Sequence, residues 1–300
     1  MRPRTGGKSM TDTVITAGVD GSTESMAAVD WAADEAVLHG TPLRLVHAWL
    51  WQPLNVPVEQ ERETEERAAN AILREARDRV ARRHPDLPCT ATILPDKAVP
   101  ALLHEARRAR SLVLGTRGHG RLLGFLLGSC GQQVVAAAEC PVVSVRPTDA
   151  EVRPADDAEV VVGQQGTPQE SADVLEFAFR AAAARHTTLR AVRAWNLPPV
   201  QTYALTGLGA MAEADGPVPY EKKALSEALA PWRDRYPQVP VVEHVELAGG
   251  GPALLSASEG ARLVVVGRRV RHSHFGTHVG SVAQAVLHHA RCPVAVVPHA

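Results

Sequence analysis

The run PALLHEARRARSLVLGTRG, residues 100–118, returns as PALLSASEGARLVVVGRRV, residues 252–270, and the same 152-residue displacement separates Gly115 from Gly267 and Cys140 from Cys292. ECPVVSVRP (139–147) likewise returns as RCPVAVVPH (291–299). Toward the start of each copy, LRLVHAW (43–49) matches LRAVRAW (189–195), and GVDGSTES (18–25) matches GQQGTPQES (163–171) with one inserted residue. Self-similarity of this kind is the signature of a duplicated unit. The chain therefore reads as one domain over 11–147 and a second over 159–300, joined by a polar linker at 148–158 and preceded by a disordered lead at 1–10.

Each copy alternates short apolar runs with longer amphipathic ones. In the first copy the strands are expected near 13–19, 43–48, 89–94, 111–115 and 141–146, rich in Val, Leu and Ile as strands buried on both faces are. Helices are expected near 23–39, 59–83, 98–109 and 129–139; ETEERAANAILREARDRVARR places apolar residues at three- and four-residue spacings among charges. Strand–helix alternation implies an α/β fold, here two tandem doubly wound domains, each a five-stranded parallel sheet flanked by helices. In the second copy Thr167, Pro168 and Glu170 form a capping box that predicts a helix starting there. Trp31 and Phe177 occupy equivalent helix positions and read as core.

Composition narrows the function classes. Of 300 residues 45% are hydrophobic and 22% charged, the balance of a soluble globular protein. A net charge of −1 offers no field for nucleic acid or a membrane surface, so neither is expected as a partner. No apolar run approaches a membrane span, and MRPRTGGKSM lacks the apolar core of a signal peptide. Cys89, Cys130, Cys140 and Cys292 form no CxxC pair, which suits a reducing cytoplasm.

The chemistry concentrates in GTRGHGRLLGFLLGS (115–129), with five glycines, two arginines, one histidine and no acid between a strand and a helix. Glycines so placed permit close approach of the backbone to a ligand. Gly115 ends the strand, Gly118 frees backbone amides, and Gly128-Ser129 opens a helix whose unpaired N–H groups and positive dipole end favour phosphate. Strand one closes on Asp20, which lies on the same rim. No GxxxxGK[ST] occurs, so a P-loop is excluded. GHGRLLG (118–124) follows the fourth strand rather than the first, which argues against a dinucleotide fingerprint.

The G-x2-G-x9-G-S spacing of Gly115, Gly118, Gly128 and Ser129, together with Asp20 in GVDGST, resembles the ATP-binding members of the universal stress protein family over nearly all of residues 12–298. That resemblance implies the adenine nucleotide alpha-hydrolase-like form of the fold. It also implies a site made of Val19, Asp20, Ala48, Leu114, Gly115, Arg117, Gly118, Gly128, Ser129 and Cys130, with Ala48 beside the adenine. ATP is the implied cofactor, with Mg2+ left open; a homodimer and a protein partner are the implied associations. The implied function is a sensor or regulator rather than an enzyme, with slow ATP hydrolysis or a nucleotide-free adaptor as alternatives. No catalytic residue and no resident metal are expected; His272, His274 and His278 have no acid or cysteine beside them to complete a metal set. Copy two departs from the pattern: Gln165 stands for Asp20 and Val270 for Gly118, while Gly267, Gly280 and Ser281 persist. The second copy is therefore expected to bind nucleotide weakly or not at all.

Overall fold

The computed structural model describes residues 14–50, 58–118, 125–126, 128–147, 155, 157–196, 217–270 and 279–300, with 58–62, 117–118, 125–126 and 217 described by their backbone alone. The chain divides between Asp149 and Ala150 into two compact units.

The first unit runs β1 (Val14–Gly18), α1 (Thr23–His39), β2 (Leu43–Ala48), α2 (Val58–Arg83), β3 (Cys89–Leu94), α3 (Ala98–Ala106), β4 (Ala109–Gly115), β5 (Arg117–Gly118), β6 (Phe125–Leu126), α4 (Ser129–Ala137) and β7 (Val142–Val145). Its main sheet has the order β3-β2-β1-β4-β7, parallel throughout, with Gly18 opposite Val46 and Gly115 opposite Val145. Helix α1 packs with α2 and α3 with α4, and strands β1, β2 and β4 contact helices of both pairs. Ile15, Ala17, Leu45, Leu112 and Val113 are accordingly fully enclosed. Two ion-pair rungs, Asp30–Arg79 and Asp34–Arg83, link α1 to α2 on the surface.

The second unit repeats the plan as β8 (Val160–Gly163), α5 (Ala172–Arg185), β9 (Leu189–Trp195), α6 (Pro217–Arg235), β10 (Val241–Leu247), α7 (Gly250–Ala257), β11 (Leu263–Arg269), α8 (Ser281–His289) and β12 (Val294–His299). Its parallel strands take the order β10-β9-β8-β11-β12. Here α5 and α6 are joined by an aromatic cluster in which Phe179, fully buried, stacks on Trp232 and Tyr236 at ring-centre distances of 6.3 and 5.8 Å. Burying one such ring stabilises by about 1.5–3 kcal/mol.

Two expectations need correction. The capping box does form, with Thr167 N donating to Glu170 Oε2 (2.8 Å) and Glu170 N donating to Thr167 Oγ1 (3.3 Å). It closes a turn over 168–171, however, that runs directly into helix α5, which begins at Ala172. The box stabilises whatever turn follows it, and the residue inserted relative to the first copy is absorbed before the helix proper. Trp31 and Phe177 are only half-buried; Phe179, two residues on, is the enclosed aromatic of its helix. Within the glycine stretch, Arg117–Gly118 pairs antiparallel with Phe125–Leu126.

Candidate functional site

Strand β1 ends at Gly18, and its ladder continues one step as Val19 N donates to Val46 O (2.9 Å). The Val19 carbonyl accepts from His47 Nδ1 at 2.7 Å, which fixes the proton on that nitrogen and ties the ends of β1 and β2 together. Gly21 turns the chain with φ +82°, a conformation that favours glycine. Ser22 is the N-cap of α1: its hydroxyl accepts from Ser25 N (3.2 Å).

Asp20 is exposed at the rim, and its Oδ1 accepts from Ser22 N (3.0 Å) and from the Ser22 hydroxyl (2.5 Å). Capping thus belongs to Ser22, and Asp20 orients the cap. The Asp20 amide donates in turn to Ser25 Oγ at 3.3 Å. This holds the carboxylate at the carboxyl edge of the sheet, where open α/β sheets take ligands.

Across that edge lies the start of α4. Gly128 is its N-cap (φ −55°, ψ 159°), makes no side-chain cap bond, and a Cβ built there would meet nothing within 4 Å. The helix N-terminus is therefore uncovered by described atoms on that side. Ser129, exposed, and Cys130, half-buried, form its first turn. The Cys130 thiol is pushed above its ordinary value, first by burial and second by the charge of Asp20. Helix α4 follows β4, the parallel neighbour of β1, so its first turn and Asp20 both lie at the carboxyl ends of adjacent strands.

The remaining expected site residues lie on or just past β1, β2, β4 and β5. Val19 and Leu114 are buried, and Ala48 is half-buried at the last position of β2. Arg117 and Gly118 are fixed as backbone in β5. Gly115 proves to have a reason beyond ligand approach. A Cβ on it would stand 2.4 Å from the carbonyl carbon and oxygen of Glu24 and 2.6 Å from Ser25 N, all main-chain atoms of α1. The glycine lets the first turn of α1 lie directly on the end of β4. Residues 119–124 and 127, and the histidines 272, 274 and 278, lie outside the described residues.

This arrangement has recognisable kin. The chain matches the sequence profile described as the Universal stress protein family twice, over residues 13–146 and 159–298. It belongs to the universal stress protein family. A universal stress protein of Mycobacterium tuberculosis is 36% identical over 292 residues, spanning 94% of this chain and 96% of its own. In fold, a universal stress protein from Archaeoglobus fulgidus superposes with a TM-score of 0.73 at 16% identity, covering 96% of this chain and 99% of that one. A member of the family from Arabidopsis thaliana, solved with AMP bound, covers 48% of this chain at 19% identity with a TM-score of 0.36. Among the described residues no helix is long and apolar enough to cross a membrane, and no group of three His, Cys, Asp or Glu is placed to hold a metal ion.

Proposed function

We propose that the first unit of this universal stress protein binds ATP at the rim between β1 and α4, and that nucleotide occupancy sets the conformation the chain presents to a protein partner. The observation that carries the reading is that exposed Asp20, just past β1, and the uncovered N-terminus of α4, which follows the neighbouring parallel strand β4, lie at one carboxyl rim. The free amides of Gly128, Ser129 and Cys130, and the Ser129 hydroxyl, are donors of the kind that hold phosphate oxygens. Each helix-terminus charge effect contributes only about 0.3–1 kcal/mol, so micromolar affinity, about −8 kcal/mol, requires several donors together with the nucleoside contacts at Val19, Asp20 and Ala48. Gly118 supports the reading at the backbone, since a β-branched residue there would add bulk on the phosphate side.

A homodimer and a place for Mg2+ belong to the same reading and rest on the family alone; a cytoplasmic site of action rests also on four cysteines that form no CxxC pair. The test begins with mass spectrometry of the small molecule released from denatured purified protein, followed by thermal unfolding with added ATP. At a hundredfold excess over the dissociation constant, ATP is expected to stabilise by about 2.7 kcal/mol. Gly128→Ala, whose new methyl meets open space, should leave stability within about 1 kcal/mol of the parent while weakening ATP. No co-purifying nucleotide together with no ATP-induced shift would refute the reading.

A further inference from the structure

We infer that the second unit carries an ionic lock in place of a nucleoside crevice, so that each chain holds one nucleotide rather than two; this rests on the ATP reading of the first unit. The equivalences come from register. Gly18 pairs with Val46 in the first unit and Gly163 with Val192 in the second, so Val19 corresponds to Gln164 and His47 to Arg193. Helices α2 and α6 keep the 152-residue displacement through their buried faces, Leu73 to Leu225 and Ala76 to Ala228, which sets Glu221 opposite Ala69.

In the first unit those three positions are apolar or already tied down: Val19 is 4% exposed, Ala69 is 2% exposed, and His47 holds the Val19 carbonyl. In the second unit all three are polar and bind one another. Arg193 Nε donates to Glu221 Oε2 at 2.5 Å, and Arg193 Nη1 donates to Gln164 Oε1 at 2.6 Å and to the Gly166 carbonyl at 3.3 Å. The Gln164 amide nitrogen in turn donates to Ser171 Oγ (3.3 Å) and the Gly166 carbonyl (3.2 Å). The side chains of Arg193 and Glu221 are only 14% and 17% exposed. One guanidinium thus joins β9, the turn after β8 and helix α6. Separating a largely buried ion pair leaves a charge stranded, whereas a purine entering the first unit meets small apolar side chains.

One further feature bears on the same rim. Glu170, engaged by Thr167 N and reached by Arg269 Nη2 at 3.4 Å, brings a carboxylate to the first turn, where it opposes a phosphate.

Calorimetric titration of the full chain with ATP tests this. One site per chain, abolished by Asp20→Ala, is the expected result. Two sites in the parent, or one that survives Asp20→Ala, would overturn the lock; no site at all would overturn the reading of the first unit and this inference with it. Exchange of the three residues separates a lock from a mere structural brace. Gln164→Val, Arg193→His and Glu221→Ala together are expected to create a second, weaker site. The reverse set, Val19→Gln, His47→Arg and Ala69→Glu, is expected to weaken ATP at least a hundredfold with secondary structure by circular dichroism unchanged. If the reverse set folds and binds ATP like the parent, the lock is not what excludes nucleotide, whatever the first set does.

Discussion

Replacing Gly115 by alanine isolates the helix-on-strand contact that holds the rim together. The new methyl would lie 2.4 Å from two main-chain atoms of Glu24 and 2.6 Å from the amide of Ser25, well inside any tolerated separation. Main chain cannot rotate away as a side chain can, so α1 must shift. Overpacking of this kind costs about 1–3 kcal/mol, and a contact with backbone on a capped helix belongs near the top, about 3 kcal/mol. At about 2–4 °C per kcal/mol for a unit of this size, the first unit's melting temperature should fall by about 6–12 °C. The equivalent Gly267→Ala is the internal control, because its nearest neighbours at 2.8 Å are the far ring atoms of His299, which can swing aside. It should cost under about 1 kcal/mol. The shift of α1 also moves Ser25, and with it the bond from the Asp20 amide, so ATP affinity should fall together with stability. Differential scanning calorimetry and ATP titration on both variants provide the comparison. Equal costs for the two alanines, or a Gly115→Ala protein within about 0.5 kcal/mol of the parent, would refute the close-approach account.

His186, the C-cap of α5, has φ 49°, where the first unit has Gly40 at φ 58°; His186→Gly should stabilise by about 0.5–1 kcal/mol in urea unfolding. Burial pushes the Cys140 thiol up to about 12, so at pH 8 it should resist Ellman's reagent in the native protein and react only on unfolding, after Cys89 and Cys130. Burial alone would raise the carboxyl of Asp34, but hydrogen bonds from Arg83 and His84 outweigh it and hold the group below its ordinary value. Its contribution is therefore complete above the unfolded value near 3.9 and lost as pH falls through the depressed folded one: Asp34→Asn should cost about 1 kcal/mol or less at pH 6 and nothing near pH 2. Glu159→Ala removes the partner of Arg190 and should destabilise by about 1 kcal/mol, and adding Ala257→Glu should restore most of it, since Glu105 at the equivalent helix position pairs with Arg44; a double-mutant cycle with no coupling would contradict this.

Most of the architecture was legible because the pattern is redundant. Every strand of the first sheet is a short β-branched or leucine run between amphipathic stretches, and the second copy repeats the statement with different residues. What stayed hidden was tertiary. The glycine spacing marked Gly115, yet its contact with the backbone of α1 comes from a helix some ninety residues earlier in sequence, and no local pattern records that. The capping box was real but did not fix the helix start, because the turn it closes precedes the regular helix by one turn. Glu221 sits among the charges of EKKALSEALAPWRDR and looks like any solvated acid. Only its displacement of 152 from Ala69, a buried position, distinguishes it.

The two copies show which features of this fold bind function and which only satisfy electrostatics. Arg44 and Arg190 occupy the same place, at the second position of β2 and of β9, and both are paired, but by different acids. Arg44 Nε donates to Glu105 on α3 at 2.9 Å; Arg190 Nε donates to Glu159, just before β8, at 2.6 Å, and Ala257 takes the helix position. The half-buried guanidinium needs a carboxylate, and the sheet does not discriminate where it comes from. The exchange leaves its trace as a polar cavity of about 300 Å³ beside Glu159, Arg190, His244 and Ala257, near the amino ends of the strands. At the carboxyl rim the differences are of another kind. Val19, His47 and Ala69 are matched by Gln164, Arg193 and Glu221 together, and these three groups bind one another and the adjacent turn. A swap at the amino ends preserves one pairing by other means; the change at the rim sets a linked polar network where the first unit has two buried apolar side chains and a histidine tied to main chain.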